Sequence, residues 1–99
     1  MKLTPAIIQD IKTQEVYMLG YMNDEALSLT QKTGYVYFWS RKRKKLWKKG
    51  ETSGNTLLVK QISTDCDDDT LLVHVELNGN TVCHTGKKSC FYKNITRKL

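Results

Sequence analysis

The chain has 99 residues, of which 39% are hydrophobic and one is proline, with a net charge of +6. That length predicts a single domain, residues 1–99, whose small core buries only about two-thirds of the unfolded surface, so a metal or partner chain would help it. The composition excludes a disordered polypeptide. No apolar run approaches the roughly 18 residues of a membrane span, and Met1–Pro5 lacks the apolar region of a signal peptide, so the expected compartment is the cytoplasm.

Residues 6–11 (AIIQDI) read as a short β-prone segment and Lys12-Thr13-Gln14 as a turn. Residues 15–22 (EVYMLGYM) read as a buried strand interrupted by Gly20, which completes a hairpin. One helix is predicted over 23–33: Asn23 is its N-cap, Asp24 and Glu25 complement its positive end, and Gly34 closes it. Its few apolar residues, Ala26, Leu27 and Leu29, suit a helix lying on one side of a sheet.

Tyr35–Trp39 is a run of aromatic and β-branched residues and predicts a strand. Arg41–Lys49 then holds seven basic residues in nine. It reads either as a solvated hairpin anchored by Leu46 and Trp47, or as a strand end where Ser40, Arg41 and Arg43 face an anion. Gly50–Asn55 is a loop rich in N–H and hydroxyl donors, which is either a plain turn or a phosphate cradle.

Residues 56–64 and 70–77 are strong strand candidates. In the second, Leu71, Val73, Val75 and Leu77 share one face, so His74 reads as a solvent-facing or satisfied strand histidine. Asn78-Gly79 is a hairpin-turn signal, with Thr81-Val82-Cys83 expected to return as a strand. The expected fold is α+β and mostly β: a small mixed or antiparallel sheet, or a partly open barrel-like roll, with one helix.

The chemistry concentrates at Asp65-Cys66-Asp67-Asp68-Asp69. In an extended segment Asp65, Asp67 and Asp69 point to one face, and three carboxylates suit a hard cation such as Mg²⁺ or Ca²⁺. Cys66 on the opposite face suits zinc. Three cysteines, Cys66, Cys83 and Cys90, are an odd number without an export signal, which argues against a disulfide framework. Their polar and charged neighbours suit metal ligands better than inert core thiols. An EF-hand is excluded, because Thr70 stands where the loop needs glycine and a β-prone segment follows. A zinc finger is excluded by the absence of C-x₂-C and H-x₃₋₅-H pairs. A small zinc-dependent nucleic-acid-binding protein is the alternative function, with Trp39 and Trp47 as stacking platforms; the acidic cluster opposes it.

Several blocks together resemble the phosphoribosyl-AMP cyclohydrolase family of histidine biosynthesis. They are Pro5–Asp10, Tyr21–Asn23, Thr33-Gly34, Ser40–Arg43 with Leu46-Trp47, Lys49–Asn55, Asp65–Asp69, Cys83–Gly86 and Ser89–Phe91. Lys42 departs from the family, which usually carries a small residue there. The chain ends soon after Phe91, which leaves no room for the pyrophosphohydrolase domain fused to this enzyme in some organisms. The resemblance implies hydrolysis of the purine C6–N1 bond of phosphoribosyl-AMP by zinc-activated water. It implies an intertwined homodimer, one Zn²⁺ per subunit held by Cys66 of one chain with Cys83 and Cys90 of the other, and Mg²⁺ at Asp65, Asp67 and Asp69. His84, beside Cys83, is the candidate general base, or else it orients a ligand. Arg41 and Arg43 are assigned to one phosphate, and Thr52, Ser53 and Asn55 to the other phosphate or a ribose. The expected partners are a nucleotide with two phosphates and a second copy of the chain, with no nucleic acid and no membrane. A zinc deaminase is disfavoured, because its H-x-E…P-C-x-x-C signature is missing.

Overall fold

The computed structural model describes residues 1–96. The chain runs β1 (Thr4–Asp10), β2 (Val16–Met22), α1 (Asp24–Thr33), β3 (Tyr37–Ser40), β4 (Lys45–Lys48), β5 (Thr56–Thr64) and β6 (Leu71–Asn78). Four strands form one sheet in the order β2-β1-β6-β5, while β3 and β4 form a separate ribbon. β1 and β6 are parallel and the other neighbours antiparallel, so the sheet is mixed and open. An isolated bridge between Tyr35 and Leu58 links the β3 side to the sheet edge. The result is the expected mostly-β α+β fold with one helix.

Strand alternation builds the core. Ala6 and Ile8 of β1 and Leu71, Val73 and Val75 of β6 turn inward to meet Tyr17, Met22, Phe38 and Leu57. The β1–β2 turn is pinned by Asp10, whose carboxylate accepts the backbone N–H of Lys12 and Thr13 and the Tyr17 hydroxyl at 2.7 Å. The Thr13 N–H, and then the Tyr17 hydroxyl, hold the Asp10 carboxyl down to about 2.

The helix is bounded as its caps predict. The Asn23 side chain accepts the Ala26 N–H at 2.8 Å, and Gly34 adopts φ 78°, where its N–H reaches Thr30 O. Buried Thr30 ties the helix to β3, donating to Ala26 O and accepting the Tyr37 N–H.

Two expectations need correcting. Gly20 does not interrupt a strand: β2 runs through it, opposite Ala6. Its role is steric, because a Cβ there would lie 2.5 Å from Cε1 of the Phe38 ring. Nor does Thr81–Cys83 form a strand; it belongs to an irregular loop closed on itself, with Val82 N bonded to Lys88 O and Cys83 N to Lys87 O. The reason is topological. β6 already has β1 on one edge and β5 on the other, so a strand returning after Asn78-Gly79 finds no free edge beside it.

Candidate active site

A cleft of about 520 Å³ opens between the β4 end, the Gly50–Asn55 loop and the Cys83–Cys90 loop. Seven of the residues singled out in the sequence meet there: Arg43, Thr52, Ser53, Asn55, Cys83, His84 and Cys90. Gly50, at φ 86°, makes the loop possible, since a Cβ would collide with the Asn55 backbone. The Asn55 side chain accepts the Asn80 N–H at 3.1 Å and donates to the Thr81 hydroxyl at 3.2 Å. Its amide thereby straps the donor-rich loop to the segment that leads into Cys83. Gly79, at φ 143°, lies against this strap, where a Cβ would strike the Asn55 amide oxygen.

The two thiols of the cleft are held differently. Cys83 is buried, and the Thr85 hydroxyl donates to its sulfur at 3.1 Å. That bond, with the Thr85 N–H, draws the Cys83 thiol below its ordinary range. Cys90 is exposed as a residue, yet partial covering of its sulfur, and then its hydrogen bond with Cys83, push it upward. Its backbone is fixed to β2: Cys90 N–H reaches Tyr17 O at 2.8 Å, and buried Ser89 donates to Val16 O at 2.7 Å. A Lys88–Glu15 ion pair at 3.6 Å lies along the same seam.

Lys49 was not singled out by sequence reasoning. It is a half-buried cation in this cleft, lowered by desolvation and drawn back up by the charges of Cys90 and Cys83. Nothing in the sequence separates it from the six other cations of Arg41–Lys49. His84 is exposed at the cleft wall.

Arg41 is placed elsewhere. It lines a second groove of about 580 Å³ with Tyr21, Trp39 and Ser40, and its guanidinium lies 4.0 Å over the Tyr21 ring. Met18 and Trp47 line both grooves and so form the wall between them.

The acidic cluster is the β5–β6 link. It is a turn and not an extended segment, with Asp68 at φ 58°. Asp65 organises it, accepting the N–H of Asp69 at 2.9 Å and of Thr70 at 3.1 Å. Asp65, Asp67 and Asp69 still converge, with ligand oxygens all within 4.8 Å of one another. Chain folding, not strand alternation, gathers them. Contact between two of them splits their titrations: hydrogen bonding with Asp69 lowers Asp65, and Asp65 raises Asp69. Three exposed carboxylates that converge in this way are a donor set that suits a hard divalent cation. Among the described residues no other group of three or more His, Cys, Asp or Glu side chains converges in this way. Cys66 is exposed on the acidic turn and is not part of the thiol cleft. Cys83 and Cys90 by themselves provide two soft donors, half of a tetrahedral zinc set.

These features define a small α+β enzyme with a thiol-bearing cleft rimmed by cations, suited to an anionic substrate. Residues 18–92 match the family model described as phosphoribosyl-AMP cyclohydrolase. Over 93 residues the chain is 60% identical to the phosphoribosyl-AMP cyclohydrolase of Archaeoglobus fulgidus, covering 94% of this chain and 85% of that protein. It is 54% identical over 98 residues to the phosphoribosyl-AMP cyclohydrolase of Methanothrix thermoacetophila, covering 99% and 80%. It is 56% identical over 94 residues to the histidine biosynthesis bifunctional protein HisIE of Thermotoga maritima, covering 94% of this chain and 48% of that longer one. The chain belongs to the phosphoribosyl-AMP cyclohydrolase family, enzymes of histidine biosynthesis. Among the described residues no helix is long and apolar enough to cross a membrane.

Proposed function

We propose that this chain hydrolyses the C6–N1 bond of phosphoribosyl-AMP and so opens the adenine ring. The observation that carries this reading is the meeting of Cys83, His84 and Cys90 with Arg43, Thr52 and Ser53 in one cleft. In the reaction a water oxygen bonds to C6, a water proton passes to N1, and the C6–N1 bond breaks. The product keeps both phosphoribosyl groups and gains a carboxamide. His84 stands at the cleft wall, where it takes the proton from the attacking water and returns it towards N1. Arg43 offers a forked donor to a phosphate, assisted by the Thr52 and Ser53 hydroxyls.

Cys83 and Cys90 would hold zinc together with Cys66 from a second copy of the chain, and Asp65, Asp67 and Asp69 would hold magnesium. When bound, zinc supplies activation of water, and magnesium supplies neutralisation of a phosphate or polarisation of the ring. The reading of a homodimer is supported by the place of Cys66: it lies outside its own chain's thiol cleft, so a third thiol would come from another copy. The enzyme would work in the cytoplasm.

The test is product analysis in heavy-oxygen water. Ring opening adds one water to the substrate and places the label in the carboxamide. Release of ammonia without that gain would instead mark a deaminase and refute the assignment.

A further inference from the structure

The cations of Arg41–Lys49 share one property: none of them pairs with a carboxylate among the described residues. The ion pairs there are Lys12–Glu76, Lys60–Glu76 and Lys88–Glu15. Arg41 and Arg43 belong to the same turn, closed by Arg43 N–H on Ser40 Oγ at 3.1 Å and Lys44 N–H on Ser40 O at 2.8 Å. Lys44 takes φ 54° to complete it. So tight a turn splays its side chains, and the two arginines enter different grooves. The Arg41 guanidinium lies 4.0 Å over the Tyr21 ring, a cation–π contact that engages the ring face and leaves its N–H donors available to an anion.

From this arrangement we infer that the two monophosphates of the substrate are held on opposite sides of Trp47, one by Arg43 and the other by Arg41. This deepens the proposed function and rests on it. The two phosphoribosyl arms leave phosphoribosyl-AMP from opposite edges of the purine, at N1 and N9, so a single cation cluster is poorly placed to grip both. The N1 arm adjoins the bond that breaks and shares the thiol cleft with Arg43, Thr52 and Ser53. The purine lies along the Met18–Trp47 wall, and the AMP phosphate reaches over it to Arg41, Ser40 and the aromatic floor of Tyr21 and Trp39. Arg41 is then a specificity residue for the AMP half of the substrate.

AMP, which lacks the N1 arm, is the probe. Its inhibition constant against ring opening is measured for the metal-loaded wild type, Arg41→Ala and Arg43→Ala. Both arginines are exposed, so neither change removes core packing. Both variants should raise KM for phosphoribosyl-AMP, by roughly ten- to a hundredfold for a lost charge-assisted hydrogen bond. Only Arg41→Ala should weaken AMP by the same factor, with Arg43→Ala leaving AMP inhibition at the wild-type value. Equal weakening of AMP by both variants, or none by Arg41→Ala, overturns the inference. If the wild type opens no ring, the functional reading fails instead. Calorimetric binding of AMP then tests Arg41 on its own: retained affinity in Arg41→Ala overturns the groove assignment, and lost affinity upholds it.

Discussion

Gly20→Ala tests how the core shapes the site. The new Cβ would lie 2.5 Å from Cε1 and 2.6 Å from Cδ1 of Phe38. Ordinary carbon–carbon contact is about 3.5–4.0 Å, so the ring must retreat by about 1 Å or more. Phe38 is fully buried, with only 1% of its surface exposed, so retreat means an off-rotamer ring or a displaced strand. Overpacking of this kind costs about 1–3 kcal/mol. In a domain of this size that lowers Tm by roughly 4–8 °C per kcal/mol. The disturbance should also reach the site, because Phe38 packs against Trp47 with ring centroids 5.3 Å apart, and Trp47 lines both grooves. Thermal unfolding at fixed protein concentration, tryptophan fluorescence and KM would be measured together. Phe38→Leu should relieve the clash, so the double variant should be more stable than the two single losses added, by about 1 kcal/mol or more. An unchanged Tm in Gly20→Ala, or strict additivity in the double variant, would refute the steric role of the glycine.

Asn55→Ala removes two hydrogen bonds that strap the donor-rich loop to the Cys83 arm, and should cost about 1–3 kcal/mol in thermal unfolding. It should also weaken metal binding at Cys83 and Cys90, read by cobalt charge-transfer absorption; unchanged cobalt affinity would show that the strap does not position the thiols. Asp10 is held down to about 2 from an ordinary 3.8, so its contribution to stability is complete above the higher value and is lost as pH falls through the lower one. Asp10→Ala should therefore flatten the acid limb of the stability curve between those values, and an unchanged limb would contradict the turn-pinning role. Mixing inactive Cys66→Ser with inactive Cys83→Ser should recover zinc and activity, because one mixed dimer carries one complete thiol set. Failure to recover either would speak against a site shared between chains.

Legibility followed the range of the interactions. The helix was readable because its boundaries are local: Asn23 bonds three residues ahead, and Gly34 supplies its own positive φ. The strands were readable from their alternation. The parallel pairing of β1 with β6 was not, because it joins residues 65 positions apart with no local signal. That same pairing defeated the Asn78-Gly79 hairpin expectation by occupying the edge of β6. Gly20 illustrates the same limit, since its close neighbour comes from β3 and not from its own strand. At the site, Cys83 and Cys90 were identifiable by their polar and charged neighbours, although Cys83 was expected to end a strand and lies in an irregular loop. The grouping of Asp65, Asp67 and Asp69 was anticipated, although a turn and not an extended strand produces it. The separation of Arg41 from Arg43 depends on the β3–β4 turn, and Lys49 depends on burial, which its neighbours in sequence do not reveal.

Ring opening by this protein is expected to depend on two metals, zinc at thiols shared between two copies of the chain and magnesium at Asp65, Asp67 and Asp69. The most direct measurement follows the ultraviolet change of phosphoribosyl-AMP with metal-stripped protein, to which Zn²⁺, Mg²⁺ or both are restored. Turnover with both ions, and with neither alone, is the predicted result. Undiminished turnover by the stripped protein, or none with both ions in a folded dimer, would contradict it.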